Sequence, residues 1–416
     1  MKLNHLVLGA AGVLAATSAQ AADLPVAPAP EPIDYVRICD AYGSGFFFIP
    51  GTETCLKIDG YVRFNVTVGE GESGTEYGRS YGRQSNSPLD AYVRGRLNFD
   101  AREETAWGTL RGFIRFEVER DIDSNADGQQ SGPSDDFSTS NTFIQIGEGF
   151  LAGYNTSNYD FWTGFTTGGT VVGSDNTILQ IAYTASFGNG LFATLALEDT
   201  MDRGQGHSTV DGNATNAAAQ TASSSGFRYP DIVGNIAYEQ GIFAAQVMGA
   251  IHWVEAANDL NAGTPSPKDD EVGFAVGGGV SVDLPVLAGV TAVVQGGYSY
   301  GAFGYTDVGS GWAGGDAQLN LVTGNVDLTQ AWSVAGGLSA AVTDTITLNG
   351  QIGYTNADVG TINHDEIRGG GSIAWTPLDN LTLAASVDYQ NFHTKNLGNA
   401  GRQESIFGTL RMQRNF

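Results

Sequence analysis

Hydrophobic and polar residues alternate one by one through most of this chain. The last eleven residues set the pattern: Ile406, Gly408, Leu410, Met412 and Phe416 share one face, and Phe407, Thr409, Arg411, Gln413 and Asn415 share the other. A period of two marks a strand, because successive side chains point to opposite faces of a sheet. Arg414 interrupts the apolar row, but so near the chain end that its long side chain can reach polar surroundings.

The same alternation recurs upstream, near 57–68, 89–102, 107–120, 138–147, 150–154, 177–187, 190–198, 228–239, 242–254, 271–283, 288–301, 329–342, 345–354, 365–376 and 381–391. With the final segment these predict sixteen strands, joined by seven very short connections that alternate with eight long ones. An even number of antiparallel strands brings both termini to one side, and the short turns share it. The expected fold is all-β: a 16-stranded antiparallel transmembrane β-barrel over residues 57–416, with short periplasmic turns and long external loops. Apolar rows would face lipid and polar rows a lumen. Trp107, Trp375 and Phe416 fall near the short-turn ends, and Trp253, Trp332 and Tyr354 near the opposite ends. Amphipathic rings prefer the two membrane interfaces. A soluble barrel is the alternative that alternation alone leaves open.

The first residues add an address. Met1-Lys2-Leu3-Asn4-His5 is followed by an apolar run from Leu6 to Ala16 and by Ala19-Gln20-Ala21, which reads as a secretory signal peptide over 1–21. Residues 22–56 form a periplasmic lead-in that opens Pro/Ala-rich. No later stretch is long and apolar enough for a membrane helix. Composition agrees with a barrel, with 58 Gly and 16 Tyr. The 45 acidic residues against 20 basic ones exclude nucleic acid as a natural partner. The only cysteines are Cys39 and Cys55. In an oxidising compartment such a pair can close a short loop as a disulfide, the alternative being two free thiols. Their surroundings lack the ligands for zinc.

The stretch Tyr35–Arg63, YVRICDAYGSGFFFIPGTETCLKIDGYVR, is similar to the N-terminal block of the alphaproteobacterial porin family, the general outer-membrane porins of rhizobia and Brucella-type bacteria. With the barrel pattern and the terminal Phe416, the resemblance extends over essentially the whole chain after the signal peptide. It implies a homotrimeric outer-membrane channel for small hydrophilic solutes, surrounded by lipid and lipopolysaccharide. It also implies that the third external loop folds inward to narrow the pore. That loop is the connection 155–176, which carries Phe161, Trp162 and Phe165, unusually apolar for a segment otherwise in water.

The residues expected to line the constriction are Arg63, Arg94, Arg96, Arg111 and Arg115 on three consecutive strands, with Glu117 and Glu119 as partial partners. Same-face residues on neighbouring strands lie within about 5–8 Å, so the guanidiniums need hydration or pairing. Asp160 and Asp175 of the inward loop would oppose this wall and create a transverse field with weak ion selectivity. Alternatively the arginines merely keep the wall wet. Phe161, Trp162 and Phe165 also admit an aromatic track for a sugar-selective channel on the same fold. Asp123, Asn125 and Asp127 before Gly128 resemble a calcium loop, but Ser134 stands where such a loop needs Glu, so a solvated acidic turn is the competing reading. No cofactor is otherwise expected. Gly297-Tyr298-Ser299-Tyr300-Gly301 matches the hydrolase elbow pattern but lies within an alternating strand, where the required strand-to-helix turn is missing. An enzyme or an adhesive surface protein remain readings of other classes; neither gains a convergent set of residues.

Overall fold

The computed structural model describes residues 37–72, 89–121, 134–169, 171–210, 229–254, 271–284, 289–307, 312, 314–320, 323–360, 362–395 and 402–416. The signal peptide, the first part of the lead-in (22–36) and the acidic turn with Asp123, Asn125 and Asp127 lie outside these residues.

Sixteen antiparallel strands form a closed barrel. In chain order they are β1 (Cys55–Glu72), β2 (Leu89–Thr105), β3 (Gly108–Asp121), β4 (Ser134–Ile146), β5 (Phe150–Thr156), β6 (Thr177–Gly188), β7 (Leu191–Glu198) and β8 (Asp231–Gln240). The second half comprises β9 (Phe243–Val254), β10 (Glu271–Leu284), β11 (Val290–Tyr300), β12 (Gln330–Ala341), β13 (Ile346–Val359), β14 (Ile362–Leu378), β15 (Leu381–Lys395) and β16 (Arg402–Asn415). Each pairs with its sequence neighbours, and β1 pairs with β16 to close the ring, Tyr61 facing Asn415 and Val66 facing Leu410. Gly60 and Phe416 exchange two backbone hydrogen bonds at the seam. Closure removes sheet edges, so strand backbones meet the bilayer with their polar groups paired.

The alternation has the expected consequence for exposure. On β16, Ile406, Leu410 and Met412 are exposed while Thr409 is buried. On β12, Trp332 and Val334 face out while Ala331, Ser333 and Ala335 face in. Trp107 sits at the β2–β3 turn and is 81% exposed, as suits a ring at a lipid interface. At the opposite end the Trp332 and Tyr354 rings pack at a 45° tilt with centroids 5.2 Å apart. Among the described residues no helix is long and apolar enough to cross a membrane; the strands make the crossing.

Cys39 and Cys55 are joined as a disulfide, with Cα atoms 6.0 Å apart. Both are buried with Phe46, and Tyr42 and Phe48 pack around them. Phe47–Phe48 adds a short strand to the start of β1. Arg102 of β2 lies over the rings of Phe46 and Tyr42, so this knot is fastened to the short-turn end of the barrel wall.

The long connections hold structure that the alternation did not foretell. His207–Val210, Ala317–Asn320 and Val326–Leu328 form a separate three-stranded sheet. Residues 157–169, 171–176 and 301–307 turn inward and pack on the inner wall.

Candidate functional site, a cationic wall facing two lumenal inserts

The inner rows of β1, β2, β3 and β16 carry the arginines. Register places Arg63 opposite Arg94, Arg94 opposite Glu119, and Arg96 opposite Glu117. Arg94 pairs with Glu119 at 2.5 Å and Arg96 with Glu117 at 2.6 Å. The other guanidiniums use neutral oxygens. Arg63 donates to the Gln413 side chain at 2.7 Å, and Arg115 to Asn98 at 3.0 Å and Asn141 at 2.6 Å. The Tyr61 ring lies beneath both Arg63 and Arg96, at 4.5 and 4.8 Å. Cation–π contact of this kind offsets part of the repulsion between the two charges.

Register also corrects the membership of this group. Arg111 faces Arg102 beside the β2–β3 turn, and both share Asp100, at 3.0 and 2.7 Å. The eight steps from Arg94 to Arg102 on β2 span about 27 Å at ~3.4 Å per strand residue. Arg111 therefore belongs to the short-turn rim rather than to the mid-barrel group. Arg411 of β16 takes its place. It donates to Asn65 at 3.0 Å and to the backbone carbonyl of Thr167 at 2.8 Å. Its position on the polar face of the last strand was legible; its height beside Arg63 follows only from register.

Thr167 belongs to the first insert. Residues 157–176 leave β5, cross the inner wall from β7 to β16, and return to β6. Glu198 of β7 accepts from the Ser157 hydroxyl at 2.7 Å and from the Asn158 backbone at 2.8 Å. Gln295 of β11 accepts from the Trp162 backbone and donates to its carbonyl. Gln351 of β13 accepts from the backbone of Phe165 at 2.6 Å, and Asp388 of β15 accepts from the Thr166 hydroxyl at 3.0 Å. Wall side chains thus bind the insert's backbone, which has no regular ladder of its own.

The insert's aromatic residues face the wall. A Cβ at Gly279 would meet the Phe161 ring at 2.1 Å, and one at Gly337 would meet Trp162 at 2.6 Å. These glycines leave the floor on which the rings lie. Trp162 is buried with Val171, Val172, Val293 and Ala335. The aromatic track considered for sugars is therefore turned away from the lumen and serves packing.

The two loop carboxylates also differ from expectation. Asp160 is turned back into its own insert, where it accepts from the Ser174 hydroxyl and the Asn176 backbone, and it pairs with Arg203 of the loop after β7 at 3.4 Å. Both members of that pair are buried, so Asp160 does not oppose the arginine wall. Asp175 is exposed and lies close enough to Asp160 and Arg203 to feel both charges. The carboxylates that balance the wall are Glu117 and Glu119 on the wall itself.

Arg203 was not singled out by its sequence, since it follows β7 in a loop of ordinary composition. It donates to the Ser174 hydroxyl at 2.5 Å and to the Gly304 carbonyl at 3.0 Å, and lies over the Tyr305 ring at 4.1 Å. Gly304 and Tyr305 belong to the second insert, 301–307. Tyr305 donates to Asp231 of β8 at 2.7 Å, and Asp307 accepts from Thr355 of β13 at 2.7 Å and from Arg368 of β14. Arg368 also pairs with Glu366 at 2.7 Å. Burial pushes the Asp307 carboxyl up to about 6, against the pull of Arg368.

Among the described residues no cluster of His, Cys, Asp and Glu could hold a metal ion. Ser299 lies within β11 and its hydroxyl accepts from Thr306, so the elbow pattern there is strand and not turn.

A closed sixteen-strand barrel with polar inner rows defines a general channel of the bacterial outer membrane. Residues 23–409 match the family model described as Porin subfamily, and the chain belongs to that family. It is 31% identical over 431 residues to porin Omp2b of Brucella suis, covering 100% of both chains. It is 34% identical over 319 residues to porin Omp2a of Brucella melitensis, covering 69% of this chain and 83% of the relative. In fold it is similar to the outer-membrane channel DcaP of Acinetobacter baumannii, with a TM-score of 0.65 at 14% identity, covering 89% of this chain and 99% of the other. Salmonella typhi OmpF, solved with daunomycin, gives 0.52 at 12% identity, covering 88% and 98%.

Proposed function

We propose that the pathway for ions and small hydrophilic solutes narrows between the insert 157–176 and the wall of Arg63, Arg94, Arg96, Arg115 and Arg411. The observation that carries this reading is the hydrogen bond from Arg411 to Thr167, which pins the insert's tip beside the arginines. Passage is by diffusion, and the wall biases it by charge. Fixed charge lining a narrow pore sets the local concentration of each ion. The acidic exterior favours cations and the guanidiniums oppose that, so net selectivity is weak. A functional homotrimer is part of this reading, supported by the apolar outward rows of β2, where Val93 and Leu97 flank Gly95. The chain works as a channel and not as an enzyme.

Single-channel recording in planar bilayers tests the constriction. Deleting 157–169 raises conductance if the insert narrows the path. Unchanged conductance in a folded, heat-modifiable protein would place the constriction elsewhere.

A further inference from the structure

We propose that residues 301–307 are a second size-limiting element of the channel, joined to the first insert through Arg203. The proposal rests on the reading of 157–176 as a lumenal constriction.

Three observations carry it. First, the segment lies inside the barrel. Its Thr306 carbonyl accepts from Ser333 of β12 at 2.7 Å, and its hydroxyl donates to Ser299 of β11. Ser299, Ser333 and Thr355 all belong to inward rows and are buried. Phe303, Tyr305 and Thr306 are each about 1% exposed, far from the exposure of a free external loop.

Second, it is held by buried ionic contacts. Arg368 reaches Asp307 and Glu366, and Tyr305 shares Asp231 with His252, whose other ring nitrogen lies 3.6 Å from Asp316. Charges out of water persist only when each is paired, so these contacts fix one arrangement of the segment against the wall.

Third, Arg203 touches both inserts at once: Asp160 and Ser174 on one, Gly304 and Tyr305 on the other. A cleft between the inserts is lined by Tyr159, Phe161 and Ser174 from the first and by Tyr305 and Thr306 from the second. The two form one composite body over the wall of β7 to β15. Exposure then locates the water path. The Arg203 and Arg368 side chains are 0% and 4% exposed, whereas Arg94 and Arg96 on the opposite wall are 29% and 24% exposed. Water reaches the arginine wall and not the side filled by the inserts. Releasing 301–307 would widen the path from the side opposite the arginines.

The test compares single-channel conductance and sugar uptake by proteoliposomes for four proteins: the wild type, the 157–169 deletion, the double substitution Tyr305→Ala/Asp307→Ala, and the two changes combined. Heat-modifiable gel mobility establishes that each has folded. The expected result is a rise in conductance and in the largest sugar admitted for the double substitution, and a further rise when the changes are combined. Wild-type conductance in the folded double substitution overturns the proposal, whatever the deletion does. A rise there with no rise in the deletion instead overturns the reading of the first insert, and with it the joint constriction, and leaves 301–307 as the size-limiting element. Should the double substitution not fold, hydrogen exchange on the wild-type protein decides: protected amides at 303–307 support the docked insert, and exchange at the rate of a free loop overturns it.

Discussion

Arg411, on the strand that closes the barrel, donates from Nη2 to the carbonyl of Thr167 at 2.8 Å, so the chain's last strand holds the tip of its lumenal insert. The same guanidinium donates to Asn65 across the seam. A hydrogen bond from a charged donor contributes about 1.5–3 kcal/mol. Arg411→Ala should therefore loosen the tip without unfolding the barrel. Planar-bilayer recordings should show increased open-channel noise, with gel mobility unchanged. A record as quiet as the wild type would mean that the remaining wall contacts, from Glu198, Gln295, Gln351 and Asp388, fix the insert.

The glycine floor makes a second prediction. Gly337 lies under Trp162 and Gly279 under Phe161, and a side chain at either would overlap the ring. Overpacking of this sort costs about 1–3 kcal/mol. Gly337→Val should push the insert off β12 toward the arginine wall and lower single-channel conductance. The control Gly112→Val adds a side chain on the outward row of Leu110 and Ile114 with nothing within 4 Å, and should leave conductance alone.

The sixteen strands were legible because a membrane barrel repeats one constraint, lipid on one face and water on the other, at every second residue. Height was harder to read. Arg94 and Arg111 share the lumenal face, yet only the pairing of Arg111 with Arg102 reveals that they sit at different levels. The inward course of 157–176 had a signal in Phe161, Trp162 and Phe165, but which way the rings turned depended on glycines more than a hundred residues away. The second insert carried a comparable signal, Phe303 and Tyr305 in a connection beyond β11, which the alternation did not weigh. Arg203 and Asp160 each look like ordinary solvated loop charges until the fold brings them together.

The disulfide yields a prediction about the N-terminal knot. Cys39 and Cys55 are 16 residues apart, and closing a loop of that size contributes about 3 kcal/mol in the chain-entropy model. Reduction, or Cys39→Ser/Cys55→Ser, should free the segment before β1 while the barrel persists. Limited proteolysis between residues 37 and 54 should become rapid in the reduced protein only. Equal resistance in both forms would assign the knot's stability to Phe46 and its neighbours.

Asp307 predicts a pH response of defined sign. Its carboxyl is pushed up to about 6 when docked, chiefly by burial, with Glu366 adding to the shift and Arg368 opposing it. Once released into water it would return to about 4. The docked form therefore binds more protons between these values, so docking strengthens as pH falls from above 6 toward 4 and weakens as pH rises through 6. Noise arising from 301–307 should diminish at pH 5 relative to pH 7.5. In Asp307→Asn that difference should vanish, because the amide does not titrate. Identical pH dependence in the substituted protein would assign the response to other groups.

Selectivity tests the arginine wall most directly, and register dictates which residues to compare. Arg63 and Arg115 hydrogen-bond to the amide oxygens of Gln413, Asn98 and Asn141, so removing their charge leaves no carboxylate newly unpaired. Arg94 and Arg96 each pair with a glutamate, and removing them withdraws these contacts from Glu119 and Glu117. Arg63→Gln/Arg115→Gln should shift the reversal potential under a salt gradient toward cation preference. Arg94→Gln/Arg96→Gln should shift it in the same direction, since the wall loses two positive charges and keeps Glu117 and Glu119. Arg111→Gln, made at the short-turn rim, should have the smallest effect, because Arg102 remains to balance Asp100 there. High salt should compress all three shifts by screening. Equal reversal potentials for the wild type and both double substitutions would place the arginines off the permeation path, and the constriction between the insert and this wall would have to be abandoned.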